Sequence, residues 1–363
     1  KFLVMSNRAS ALCQTCHVKN YWSQTAHRSS TATWNGAGSN PWPTTPWTNV
    51  ADNACENCHL PHTAGGPRRL LHYAAEETNC FVCHNANVAA KNVQSEFNKF
   101  SFHPVANTTG VHDPKEPGVV TSRHVECVDC HNPHAAFAGA GNPPGPLTGT
   151  RGISIAGAEL NPATAEYQIC FRCHGDSPGK PAARTPRQIS QTNTRLEFNT
   201  ANPSYHPVAG PGKNPNVPSL IAPLTTSSTI DCGDCHNNNN NGPKAGGTGP
   251  NGPHGSVYAP ILLRQYVTAD NTPESASNYA LCYGCHSRTS ILGDQSFPLH
   301  NEHVSGQRAP CNVCHDPHGI SVSQGNTTNN SKLINFDTSV VSPSSNGILR
   351  FESTGTFKGR CYL

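Results

Sequence analysis

Eight copies of one short pattern, Cys-x-x-Cys-His, constrain this chain more than anything else in it. Their cysteines are Cys13 and Cys16, Cys55 and Cys58, Cys80 and Cys83, Cys127 and Cys130, Cys170 and Cys173, Cys232 and Cys235, Cys282 and Cys285, and Cys311 and Cys314. Their histidines are His17, His59, His84, His131, His174, His236, His286 and His315. Of the 17 cysteines only Cys361 is left over. One such motif alone leaves room for half a zinc site or a redox dithiol. Eight of them with almost no spare thiol do not. A single helical turn brings the two thiols to one side and sets the imidazole just below them. That is the attachment signature of c-type haem, with the histidine as proximal iron ligand.

Composition points the same way. Leu, Ile, Val and Phe make up only about 17% of the residues, while Gly and Pro contribute 31 each. So few large apolar side chains do not offset the conformational entropy of a folded chain this long. Eight haem c groups, one for about every 45 residues of the 363, would supply the missing apolar core. The expected fold is therefore mostly irregular coil, with short α-helices at the CxxCH motifs and little β structure. It is a haem-cored multihaem cytochrome c organised by a stack of eight haems. The formal charge of +3 becomes negative once two propionates per haem are added. No basic stripe suggests a nucleic-acid partner, and no apolar run is long enough for a membrane span. The opening KFLVMSNRASAL is too short for a secretory signal. Since thioether attachment occurs outside the cytoplasm, the expectation is an exported protein whose signal has been removed.

The motifs fall into four pairs. Expected segments are 1–68, 69–148, 149–258 and 259–320, one haem pair each, followed by a tail over 321–363, all within one continuous haem-cored unit. Second members run into Pro-His in CENCHLPH, CVDCHNPH and CNVCHDPHG. In the third pair an Asn/Gly-rich insertion displaces the Pro-His to His254. Between the members of a pair lie FHPV, YHPV and FPLH. All four tryptophans (Trp22, Trp34, Trp42, Trp47) fall in one loop of the first pair, to cover haem edges or to meet another subunit. Arg68, Arg69, Arg123 and Arg172 read either as propionate partners or as solvated charges.

The second axial ligand separates closed electron-transfer iron from open catalytic iron. Met5 is the only methionine, so His/Met ligation is excluded as a general scheme. Twelve of the 20 histidines are not proximal. In CHxPH the second histidine lies on the proximal side of its own haem and should ligate a neighbour. This gives His62, His134 and His318, with His254 as the displaced equivalent. The other distal ligands are expected among the loop histidines His27, His103, His206 and His300. His72, His112, His124 and His303 remain as spares, and His303 competes with His300.

This arrangement resembles the doubled-CxxCH multihaem cytochromes exported by metal-reducing and related prokaryotes. The shared features are CFxCH first, aromatic-His-Pro-Val between, and CxxCHxPHG second, over about residues 10–320. Some such proteins are extracellular and polymerise into filaments, or nanowires, in which a histidine of one subunit ligates a haem of the next. The resemblance implies that the terminal pairs supply the subunit junction, with His27 as the candidate ligand given across it. It also implies that the tail, which stops just after Cys361, ordinarily continues.

The first functional reading is a non-enzymatic octahaem carrier. It is extracellular or at the cell surface, or periplasmic, and moves electrons by hopping between bis-His low-spin haems. Its partners would be redox proteins, extracellular acceptors and further copies of itself. The alternative is a multihaem reductase or dehydrogenase of a small nitrogen or sulfur compound, which needs one open iron. A third is a conduit subunit held within an outer-membrane barrel.

Overall fold

The computed structural model describes residues 3–66, 68–107, 112–113, 115–239, 242–323 and 325–363, with residue 107 by its backbone only. Most of the chain is irregular, as its Gly, Pro and Asn content dictates. The longest helix among the described residues, Glu166–His174, has nine residues. Strand pairing among them consists of four two-stranded sheets.

Helical turns fall where the attachment motifs are. They are Ala11–Gln14, Ala54–Asn57, Glu76–Phe81, Cys127–Cys130, Glu166–His174, Cys232–Asp234, Ala280–Tyr283 and Cys311–Cys314. Two of these turns are started by reciprocal acidic caps. Glu126 and Asp129 cap Cys127–Cys130, and Asp231 and Asp234 cap Cys232–Asp234. Each pair satisfies amide groups that the first turn would leave unbonded.

The chain folds as two compact units that do not follow the four haem-pair segments end to end. The first comprises residues 1–153, 159–169 and 237–261, and the second comprises residues 154–158, 170–236 and 262–363. Residues of the third-pair insertion join the first unit because Gly255–Ser256 pairs with Ser101–Phe102. In the second unit Gly319–Ile320 pairs with Ser204–Tyr205 in the same manner. Both sheets set an aromatic-His segment against a Pro-His-Gly segment, with Phe102 opposite Gly255 and Tyr205 opposite Gly319. Glycine is required at both places. A Cβ on Gly255 would sit 1.9 Å from the Glu96 carbonyl oxygen, and one on Gly319 would sit 2.2 Å from that of Glu197.

Side-chain cores are small. In the second unit Ile334, Phe336 and Phe351 pack with Cys314, Val341 and Leu349. Phe351 belongs to the hairpin formed by Arg350–Gly355 and Lys358–Tyr362, where it lies opposite the exposed Cys361. Buried asparagines do much of what leucines do elsewhere. Asn202 Nδ2 donates to the carbonyls of Leu196 and Glu197, both at 2.7 Å, and Asn237 Oδ1 accepts from Gly252 N at 2.7 Å. A buried amide tolerates this only because its hydrogen bonds are made.

Candidate functional site

Seven of the attachment turns close through the same backbone bond. The histidine N–H donates to the carbonyl of the first cysteine at 2.9 Å in His17, His59, His84, His131 and His286, and at 2.8 Å in His236 and His315. This fixes both thiols and the imidazole on one turn. None of the 17 cysteines is disulfide-bonded. The first thiols of a pair lie against each other, Cys80 with Cys127 and Cys282 with Cys311, and the charge of Cys55 acts on Cys13.

Six of the proximal imidazoles face a second imidazole across a gap of nearly constant width. Ring centres are 6.1 Å apart for His84 and His27, 6.2 Å for His59 and His134, and 6.0 Å for His131 and His254. In the second unit they are 6.4 Å for His286 and His206, 6.2 Å for His236 and His318, and 6.3 Å for His315 and His300. A nitrogen ligand sits about 2.0–2.1 Å from its metal, so two imidazoles on opposite sides of one ion place their ring centres roughly 6.3 Å apart. These rings are too far apart to stack on one another, and they stand at the separation of axial ligands.

Burial also sets their protonation. Desolvation, helped by neighbouring imidazoles, holds His84 and His286 at about 4 and His254 and His315 at about 3. His134 is held at about 4 by burial and by the charges of Lys19 and His59. A neutral imidazole keeps the lone pair that a metal needs. The other ring nitrogen is occupied. Nδ1 donates to a carbonyl from His27 (Pro133, 2.9 Å), His103 (Pro253, 2.7 Å) and His206 (Pro317, 2.5 Å). His59 donates likewise to Arg69 at 2.8 Å and His131 to Pro146 at 3.0 Å. Such bonds fix the tautomer and aim Nε2 into the gap. In His318 the partner is a carboxylate: Glu197 Oε2 lies 3.0 Å from Nδ1. Burial opposes the charged form of His318, but Glu197 outweighs it and raises the group to about 9.

A repeat emerges from these contacts that the sequence spacing does not reveal. Three loop histidines dock on the proline carbonyl of the next pair's Pro-His, passing over the Pro-His of their own pair: His27 on Pro133, His103 on Pro253, His206 on Pro317. The histidine of each of these Pro-His steps faces the proximal imidazole of the second motif in the pair before its own: His134 to His59, His254 to His131, His318 to His236. His27, expected at a subunit junction, lies beside an imidazole of its own chain. Thr25 accepts from His27 N, donates to the Ala136 carbonyl and so turns the ring toward His84 of the same chain.

His17 and His62 stand apart. Both are exposed, and among the described residues no imidazole faces either of them. His174 ends the helix Glu166–His174. Of the four spares, His72 Nε2 donates to the Glu56 carbonyl, and His303 Nδ1 donates to the Leu299 carbonyl at 2.6 Å. His112 and His124 lie in an acidic cluster that sequence reasoning missed, since its members are scattered between two motifs. Trp42 is buried with its Nε1 on Asn57 Oδ1, and Trp22 stands edge-on to His134, 6.3 Å between centres. Arg69 hydrogen-bonds the His112 carbonyl.

These residues fit haem c. They offer paired thiols on one turn, facing imidazoles at axial separation, and 18,356 Å² of surface for 38.7 kDa, where a folded chain of that mass ordinarily exposes about 14,000 Å². Thiol-bearing turns with facing imidazoles define a haem-binding cytochrome of the c type. Residues 48–89, which hold the second and third motifs, match the family described as doubled CXXCH motif. The multiheme cytochrome MtrA of Shewanella baltica (strain OS185) is 23% identical over 174 residues, 48% of this chain and 34% of that protein. The chain thus spans about a third of the length of that relative. No solved structure matches. Over these stretches the chain is similar to the doubled CXXCH motif family and to a multiheme cytochrome. No helix among its described residues is long and apolar enough to cross a membrane.

Proposed function

We propose that the chain is an exported octahaem electron carrier, working outside the cell or at its surface, whose copies join end to end into a conductive filament. The observation that carries this reading is the set of six facing imidazole pairs at 6.0–6.4 Å. Haem c supplies reversible one-electron iron chemistry when bound. The chain's own part would be to present facing imidazoles at six of the sites, to orient them through Nδ1, and to keep water and substrates out of the gaps between them. Closed ligation favours carrying electrons over bond-making. In this scheme the proximal ligands are the eight motif histidines, and His27, His134, His254, His206, His318 and His300 are distal to His84, His59, His131, His286, His236 and His315. His103 and His62 complete the distal set.

Self-association is supported by the open start of the docking series. Pro61 and His62 have the sequence of a docking site but lie exposed, and His17 is exposed beside no other imidazole. A second copy that docks there extends the repeat and closes the axial position over His17. A second reading, a reductase, is favoured by that same unfaced His17. The two separate experimentally. Negative-stain microscopy of the secreted fraction is combined with electron paramagnetic resonance of monomer and assembly. Filaments whose formation removes a high-spin signal support the carrier. Particles that stay monodisperse at all concentrations, with a high-spin centre that binds small ligands, refute the filament and favour the enzyme.

A further inference from the structure

A cluster of titratable groups lies outside the haem sites, in the first unit. His112 Nδ1 is 3.3 Å from Asp129 Oδ1, 3.4 Å from Glu126 Oε2 and 3.9 Å from Glu116 Oε2. His124 Nε2 is 3.0 Å from Glu116 Oε1. One donor atom from each of His112, Glu116, His124 and Asp129 lies within 4.8 Å of every other. The cluster is deep: His112 is 8% exposed, Glu126 7% and Asp129 4%. Two of its atoms, His112 Nδ1 and Glu126 Oε2, are buried without a hydrogen-bond partner among the described residues. Glu76, also buried, straps the two sides together by accepting from His112 N at 3.1 Å and Val128 N at 3.0 Å.

We propose that His112, Glu116, His124 and Asp129, with Glu126 at the edge, form a binding site for one divalent transition-metal ion of the Zn²⁺ class. Bonds of about 2.0–2.1 Å in a tetrahedral site separate neighbouring donor atoms by roughly 3.4 Å. The measured separations of 3.0, 3.3 and 3.9 Å bracket that value. Two imidazoles select against Ca²⁺ and Mg²⁺, which take oxygen ligands, and match the nitrogen-preferring first-row ions. The charge balance asks for a cation. Glu76, Glu116, Glu126 and Asp129 converge on two imidazoles. A bound ion would satisfy both orphaned atoms. It would also tie residues 112–124 to the turn that carries Cys127, Cys130 and His131, so its role is to clamp an attachment motif.

The test uses the full haem-loaded protein, stripped with a chelator, desalted and equilibrated with Zn²⁺. Inductively coupled plasma mass spectrometry should find one zinc per chain beside the iron. Zinc K-edge absorption should show two imidazoles with oxygen donors and no sulfur. The Glu116→Gln/His124→Gln variant should keep its haem spectrum and lose that zinc, along with the rise in Tm that zinc gives the parent. If the double variant fails to load haem, His124→Gln alone serves, because that ring lies at the rim of the cluster. The proposal is overturned if the parent retains no zinc, if parent and variant bind it equally, or if the zinc carries sulfur ligands.

Discussion

Glu197 offers the sharpest quantitative test of how this chain tunes a bound iron. Its carboxylate is buried, 5% exposed, with Oε2 3.0 Å from Nδ1 of His318. His318 in turn faces His236 with 6.2 Å between ring centres. From these distances the carboxylate lies roughly 7 Å from the midpoint between the two rings, and at an effective dielectric of about 20 a unit charge there contributes about 2.4 kcal/mol. For a one-electron couple this is about 100 mV. Solvent screening is slight because the carboxylate is buried. Glu197→Gln keeps the size and an acceptor for the His318 N–H while removing the charge, so the potential of one centre should rise by about that amount. Spectroelectrochemical titration of the parent and the variant at pH 8, both with full haem content, reads the shift. Superimposable titration curves, or a fall in potential, would refute the assignment of His318 as an axial ligand backed by this charge.

Three other outcomes are expected. His27→Ala should leave the iron over His84 with one protein ligand, converting one low-spin centre to high-spin and creating one carbon monoxide site in the reduced protein; an unchanged spectrum would rule out the His27–His84 pairing. Gly319→Ala drives a Cβ to 2.2 Å from the Glu197 carbonyl oxygen, so it should cost about 1–3 kcal/mol and disturb the His318 centre, while Gly347→Ala, in open space but at a φ of +73°, should cost stability through its backbone alone and leave that centre's absorption unchanged; both are read by thermal melts and by absorption. Phe336→Ala removes a ring that is 2% exposed at the centre of the small Ile334–Phe351 core, and should lower stability by about 3–5 kcal/mol in chemical denaturation.

The local chemistry of this protein is legible in the sequence. Two thiols and an imidazole at i, i+3 and i+4 need only one helical turn to converge, and the structure builds such a turn at every motif, from Cys13 to Cys314. The scarcity of large apolar residues likewise announces a chain of loops with small side-chain cores. Which histidine meets which is another matter, because it depends on contacts between segments as much as 150 residues apart, as with His103 and Pro253. Sequence spacing cannot report that His27 turns inward, since the decision is made by Thr25 bonding to Ala136 across 111 positions. Nor can it gather His112, Glu116, His124 and Asp129 into one buried cluster. The eight attachment motifs were fixed by covalent spacing, whereas the pairing of their imidazoles and the open ends at His17 and His62 were decided by tertiary docking of Pro-His segments.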